Sequence, residues 1–176
     1  LAPEKCVENL RILHSLESKT GKKVQLVIIG DGPSRERLAT HLPYARFTGH
    51  LSGEQLGQAM ASLDVLVSTG EKETFCQVIQ EAMACQVPVV APATGGPLDL
   101  VEPGCNGYLY QPGSLDDLRN AVQTLIDNPQ QILEFGQNGE SMVRNRTWLS
   151  LTQSIVGHYE TAIASSQANS SITVAA

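Results

Sequence analysis

Val24-Gln25-Leu26-Val27-Ile28-Ile29-Gly30-Asp31-Gly32-Pro33 carries the clearest fold signal in the chain. An apolar, β-branched run broken only by Gln25 ends in a glycine turn and hands over to a helix, which is how a strand covered on both faces of a parallel sheet reads. The same rhythm recurs at residues 46–48, 64–68, 87–91 and 107–110, each run separated from the next by a longer amphipathic stretch. Strands alternating with crossover helices make an α/β chain with a parallel sheet. Ser52 with Gln55 three residues on, and Ser114 ahead of Leu115 and Asp117, have the chemistry of helix N-caps, and Pro129 suits the first turn of another helix. Leu1 leads directly into a helix-like stretch over residues 4–18, so the sheet's first strand is expected upstream. The reading is one domain over residues 1–164, whose last amphipathic segment starts near Trp148, then a small, polar, loose tail over residues 165–176.

The 176 residues, 41% hydrophobic and 17% charged, suffice for one core. A net charge of −6 supplies no broad basic field, so no nucleic-acid partner is expected. The longest apolar runs fall far short of the ~20 residues that cross a bilayer. Cys6, Cys76, Cys85 and Cys105 lack CxxC spacing and read as free thiols of a reducing compartment, which favours the cytoplasm. His14, His41, His50 and His158 lack ligand spacing, so no metal site is expected.

The chemistry concentrates after the third apolar run, in Glu73-Thr74-Phe75-Cys76-Gln77-Val78-Ile79-Gln80-Glu81. A helix beginning near Thr74 or Phe75 would leave the amides of Phe75, Cys76 and Gln77 without intrahelical acceptors, a site for anionic or polyhydroxyl ligands. Glu73 ahead of that terminus and Glu81 within the helix are acceptors suited to paired hydroxyls. Each alone reads equally as an ordinary dipole-favouring or solvated helix residue. Downstream, Glu81-Ala82-Met83-Ala84 and Val87-Pro88-Val89-Val90-Ala91 pack the helix on the next strand, and Thr94-Gly95-Gly96-Pro97 forms a second glycine turn where a backbone can approach a phosphate or sugar. Two such turns beside one helix terminus suggest a shared cleft.

Taken together, Glu73-x7-Glu81, the following Ala-Met-Ala, the Val-Pro-Val-Val-Ala run and Thr94-Gly95-Gly96 resemble the signature of retaining glycosyltransferases with two facing Rossmann-like domains, the GT-B architecture. Leu1-Ala2-Pro3-Glu4-Lys5, Ile29 to Pro33, Phe47-Thr48-Gly49-His50 and Asn106-Gly107-Tyr108-Leu109 fall in the family's order. Within it, Glu73-Thr74-Phe75-Cys76-Gln77 with Gly95-Gly96-Pro97 is similar to actinobacterial GDP-mannose-dependent mannosyltransferases that build glycolipids. The resemblance implies a Rossmann-like parallel sheet with helices on both faces, the carboxyl-terminal, donor-binding half of a GT-B enzyme. It implies Lys5 on the donor diphosphate and Glu73 on the transferred hexose as the catalytic pair. The donor would further meet Gly30, His50 and Leu51 along the base, Thr74, Phe75, Cys76 and Gln77 around the sugar, and Glu81 at the ribose.

The resemblance implies a nucleoside diphosphate sugar as donor substrate, with no separate cofactor. The acceptor, a glycolipid or glycan, would be held by an absent amino-terminal domain, without which this chain is expected to bind donor but transfer little. Peripheral association of the full-length protein with the inner face of a membrane goes with a lipid acceptor. Two features depart from the family pattern: an arginine expected shortly before Lys5 lies outside the chain, and Gln86 stands where glycine is usual. Three alternatives stay open at this point: a UDP-sugar enzyme of the same family, a nicotinamide oxidoreductase built on Gly30-x-Gly32, and a non-catalytic nucleotide-sugar module. A nicotinamide site wants an acidic residue ending the next strand, and residues 46–49 offer none. A hydrolytic carboxylate pair is disfavoured because eight helical residues separate carboxylates by ~12 Å, beyond the ~5 to 10 Å such pairs span.

Overall fold

The computed structural model describes residues 1–168. All five apolar runs become strands: β1 (Val27–Ile29), β2 (Arg46–Gly49), β3 (Leu66–Val67), β4 (Val89–Pro92) and β5 (Gly107–Tyr110). Every pairing is parallel, as strands joined by crossovers require. The single expected sheet, however, is divided: β1 pairs with β2 alone, and β3, β4 and β5 pair in that order. No strand hydrogen bonds join β1 to β3.

Helices α1 (Arg35–His41), α2 (Gly53–Ala61), α3 (Gln77–Ala84), α4 (Leu115–Ile126) and α5 (Pro129–Val143) occupy the connections. β4 shows why this stretch reads as continuously apolar. All four of its residues are buried, and their period-two alternation sends Val90 toward Leu118, Val122 and Leu125 of α4 while Val89 and Ala91 face Ile79, Ala82 and Met83 of α3. Both faces are covered, so no polar residue is tolerated on either, and each buried valine contributes roughly 2 kcal/mol. A third cluster, Ile28 with Leu38 and Leu42, seats α1 on β1. Glycine lets α5 approach α3 closely: a Cβ at Gly139 would lie 3.0 Å from the Met83 side chain.

Local chemistry explains most boundaries. Ser114 accepts a hydrogen bond from the Asp117 amide at 3.2 Å and caps α4, and Pro129 opens α5. Ser52 stands at the N-cap of α2 in extended conformation, but its side chain makes no capping bond. The stretch 4–18 is not one helix. Two 3₁₀ segments, Pro3–Lys5 and Val7–Leu13, are separated by Cys6, whose left-handed φ of 49° breaks the ladder. Gln86 adopts φ of 59° after α3, so the turn keeps the backbone that glycine would take more cheaply.

The described chain divides into two units, the first being Leu1–Val143 and the second beginning at Arg144. The second contains α6 (Trp148–Ala168), whose first turn is supported by the Ser150 amide donating to Thr147 Oγ1 at 3.1 Å. It continues four residues beyond the expected domain end at 164, and the rest of the expected tail, residues 169–176, lies outside the described residues. Among the described residues no helix is long and apolar enough to cross a membrane.

Candidate functional site

The residues singled out in the sequence sit where strands end. Gly30 follows β1 with φ of 126°, His50 and Leu51 follow β2, Glu73 follows β3, and the Gly95-Gly96 turn follows β4. In parallel α/β sheets the carboxyl ends of the strands form the ligand crevice. One short segment ties two of these ends together. The Leu1 carbonyl accepts the Ser34 amide at 3.0 Å beside the β1 turn, while the Lys5 carbonyl accepts Thr69 Oγ1 at 2.6 Å just past β3. Four residues reach at most ~14 Å, so the ends of β1 and β3 lie on one side of the molecule.

Lys5 and Glu73 form the centre. The Lys5 ammonium donates to Glu73 Oε1, with the lysine half exposed and the carboxylate largely shielded. Glycines shape the loop around that pair. A Cβ at Gly70 would stand 2.8 Å from Glu73 Oε1, and one at Gly95 2.5 Å from the Glu73 carbonyl oxygen, which itself accepts the Gly96 amide at 2.8 Å. Gly96 packs so tightly on the Thr74 carbonyl that a side chain there would overlap it, and Cys76 Sγ would lie 2.8 Å from its Cβ. The turn after β4 is therefore locked to the loop before α3.

The helix terminus lies later than expected. α3 starts at Gln77 because Cys76 is left-handed, with φ of 53°. Its first bonds run from the Ile79 and Gln80 amides to the Cys76 carbonyl, which leaves the Gln77 and Val78 amides without intrahelical acceptors. The amide set thus moves from residues 75–77 to 77–78. Phe75 is 46% exposed, and its carbonyl accepts Gln80 Nε2 at 2.9 Å. Thr74 is exposed. Cys76 is buried, and burial, followed by the nearby Glu73 carboxylate, pushes its thiol pKa up, which suits packing rather than nucleophilic chemistry.

Glu81 is half-buried one turn into α3 and accepts Gln77 Nε2 at 2.9 Å, so this carboxylate is oriented by its own helix. His50 is exposed and Leu51 half-buried in the turn ahead of α2. The structure brings Lys5, Glu73 and the Gly95-Gly96 turn into contact, pairs Gln77 with Glu81, and sets Gly30 beside the turn of His50 and Leu51, the Gly30 amide donating to the Gly49 carbonyl at 2.9 Å. Two contributors carried no sequence signal. Thr69 is buried and holds Lys5 from 64 positions away, and Glu71 accepts the Gly113 amide at 3.0 Å from 42 positions away.

Comparison with known proteins is consistent with this geometry. The family model of glycosyl transferases group 1 matches residues 1–142. A GDP-mannose-dependent alpha-mannosyltransferase of Mycolicibacterium smegmatis is 46% identical over 161 residues, covering 91% of this chain and 41% of that protein. One of the same description from Corynebacterium glutamicum is 41% identical over 173 residues, covering 95% and 39%. Among solved structures, Anabaena HepE in complex with UDP and glucose aligns with a TM-score of 0.79 at 27% identity, over 92% of this chain and 46% of that one. The sucrose-phosphate synthase of Thermosynechococcus elongatus aligns at 0.80 and 26%, over 93% and 44%. The chain spans about two fifths of the length of the mannosyltransferases it matches. With a matching family model over most of its length, this chain belongs to the glycosyl transferases group 1 family.

Proposed function

We propose that this chain is the donor-binding half of a retaining glycosyltransferase that moves mannose from GDP-mannose to a glycan or glycolipid acceptor. The observation that carries the reading is the Lys5–Glu73 pair held against the Gly95-Gly96 turn at the carboxyl ends of the strands. The 46% identity to a GDP-mannose-dependent enzyme supports the choice of donor.

In this reading Lys5, a compact cation, takes the donor diphosphate and stabilises the charge that develops as the glycosidic bond breaks. The Gln77 and Val78 amides add a fixed partial positive charge. Glu73, already shielded and aligned through its own carbonyl, receives hydroxyls of the hexose, and Glu81 receives the ribose diol. Gly30 and the backbone at His50 and Leu51 border the base. Thr74, Phe75 and Cys76 shape the sugar pocket, with Cys76 acting by packing. Acceptor recognition and any membrane association belong to the remainder of a full-length enzyme acting in the cytoplasm.

Titration calorimetry of the chain with GDP, UDP, ADP and NAD, with Glu81→Ala as control, tests this. Preferential GDP binding that weakens about tenfold or more in Glu81→Ala is expected, since a hydrogen bond to a charged group is worth ~1.5 to 3 kcal/mol. Preference for UDP, the nucleotide in the HepE complex, would keep the family and overturn mannose. Binding of NAD alone would overturn the reading altogether.

A further inference from the structure

We infer, on the strength of the donor-binding reading above, that the Lys5–Glu73 pair makes the site favour an intact nucleoside diphosphate sugar over the bare nucleoside diphosphate left after transfer. The two ligands share every phosphate, so phosphate contacts alone cannot separate them. In the free chain Lys5 and Glu73 are engaged with each other: the ammonium donates to Glu73 Oε1, and among the described residues no other side chain donates to that carboxylate. A ligand that takes the ammonium therefore also takes the partner of Glu73.

The two ends of the pair differ in their freedom to move. The Lys5 side chain is 49% exposed, and its four-carbon stem can swing the ammonium onto a phosphate while the Thr69 hydroxyl keeps the Lys5 carbonyl in place. Glu73 cannot follow it. The glutamate side chain is 18% exposed, its own carbonyl holds the Gly96 amide at 2.8 Å, and the Gly70 backbone crowds it so closely that a Cβ there would stand 2.8 Å from Oε1. Once the ammonium leaves, the carboxylate stays behind, shielded and short of donors.

Three states of Glu73 follow. In the free chain the ammonium satisfies it. With a bare diphosphate bound, the ammonium has gone to the phosphates, and the carboxylate is unpaired, partly desolvated and beside new negative charge, all of which oppose binding. With a nucleotide sugar bound, hexose hydroxyls donate to the carboxylate in place of the ammonium, in charge-assisted bonds. Opening the pair is thus a cost common to both ligands that only the sugar offsets. The nucleotide released by transfer is held less tightly than its phosphates would otherwise allow, which favours its departure.

Calorimetric titration of the unaltered chain and of Glu73→Gln with GDP and with GDP-mannose tests this, since glutamine keeps the shape of the side chain and removes its charge. GDP should bind Glu73→Gln about 2- to 5-fold more tightly, the span open to a half-exposed ion pair. GDP-mannose should bind it about tenfold more weakly, because charge-assisted bonds to the hexose are lost. Weaker or unchanged GDP binding by the variant, with both ligands still bound by the unaltered chain, would keep the donor reading and overturn the inference: the ammonium would then hold carboxylate and phosphate together. Binding of neither ligand by the unaltered chain would overturn the donor reading and the inference with it. A measurement that does not depend on how the variant folds is the ¹³C signal of the Glu73 carboxyl in the unaltered chain. It should shift when GDP withdraws the ammonium, and a signal unmoved by saturating GDP would overturn the inference.

Discussion

Lys5 and Glu73, 68 residues apart, meet in an ion pair whose two backbones are each fixed independently, Lys5 by the Thr69 hydroxyl and Glu73 by the Gly96 amide. The pair is thus placed by the fold rather than by its own attraction. A half-exposed pair of this kind contributes ~0 to 1 kcal/mol to stability, so a double-mutant cycle of Lys5→Ala and Glu73→Gln should give a coupling below about 1 kcal/mol in denaturant melts. GDP affinity should behave differently, falling about 10- to 100-fold in Lys5→Ala by calorimetry, since the charge-assisted bonds to phosphate are lost. A large stability coupling with unchanged GDP binding would make the pair purely structural.

Gly96→Ala should both destabilise the fold and weaken nucleotide binding. Its Cβ would overlap the Thr74 carbonyl, which belongs to the loop carrying Glu73. The cost of overpacking against backbone is ~1 to 3 kcal/mol. Gly107→Ala is the control: its Cβ would overlap the Val89 carbonyl inside the sheet, remote from the loop. It should lower the melting temperature comparably while leaving the GDP affinity of the folded fraction unchanged.

Gln86→Gly should stabilise the chain. Gln86 is exposed and left-handed, φ 59°, a conformation that costs a side-chain-bearing residue ~1 kcal/mol and glycine almost nothing. A small gain, at most about 0.6 kcal/mol in chemical denaturation, is expected after the ~0.4 to 1 kcal/mol of extra chain entropy that glycine brings to the unfolded state is subtracted.

Asn106→Ala should cost about 2 to 4 kcal/mol. The buried amide donates to the Leu100 carbonyl at 3.0 Å and accepts the Glu102 amide at 2.8 Å, closing the turn into β5. Removing it strands two backbone groups, each worth ~1 to 3 kcal/mol when unsatisfied. Thermal melts would show the loss, and a shift under 2 °C would contradict it.

Tyr110 makes stability fall at alkaline pH. Burial first, then the carboxylate of Glu71 and the Cys6 thiol, pushes its phenol up to about 12, from an ordinary value near 10.0. A group whose pKa is raised on folding stabilises the protein fully below its unfolded pKa and loses that contribution as pH rises. Tyr110 therefore withdraws roughly 2 to 3 kcal/mol between about pH 10 and 12. The hydroxyl is 3.5 Å from the Ser68 carbonyl, too long for a strong bond, so Tyr110→Phe should be nearly neutral at pH 7. Its melting curve should decline less steeply than the parent's above pH 10.

The α/β class and the approximate positions of strands β1 to β5 were legible in the sequence alone. Apolar runs covered on both faces, glycine turns and caps such as Ser114 are local signals, each written within a few consecutive residues. The start of α3 escaped it because Cys76 carries no mark of its left-handed backbone, which is imposed where the loop is pressed against Gly96. The helix expected over 4–18 failed for a related reason: Cys6 turns left-handed where Thr69 holds the neighbouring Lys5 carbonyl. Only the folded chain shows that Lys5 rests on Glu73, that Thr69 and Glu71 support the loops, and that β1 and β3 belong to separate sheets. Contacts between residues dozens of positions apart depend on how helices and strands stack, and burial of apolar faces, which is non-directional, sets that stacking without leaving a pattern in any one segment.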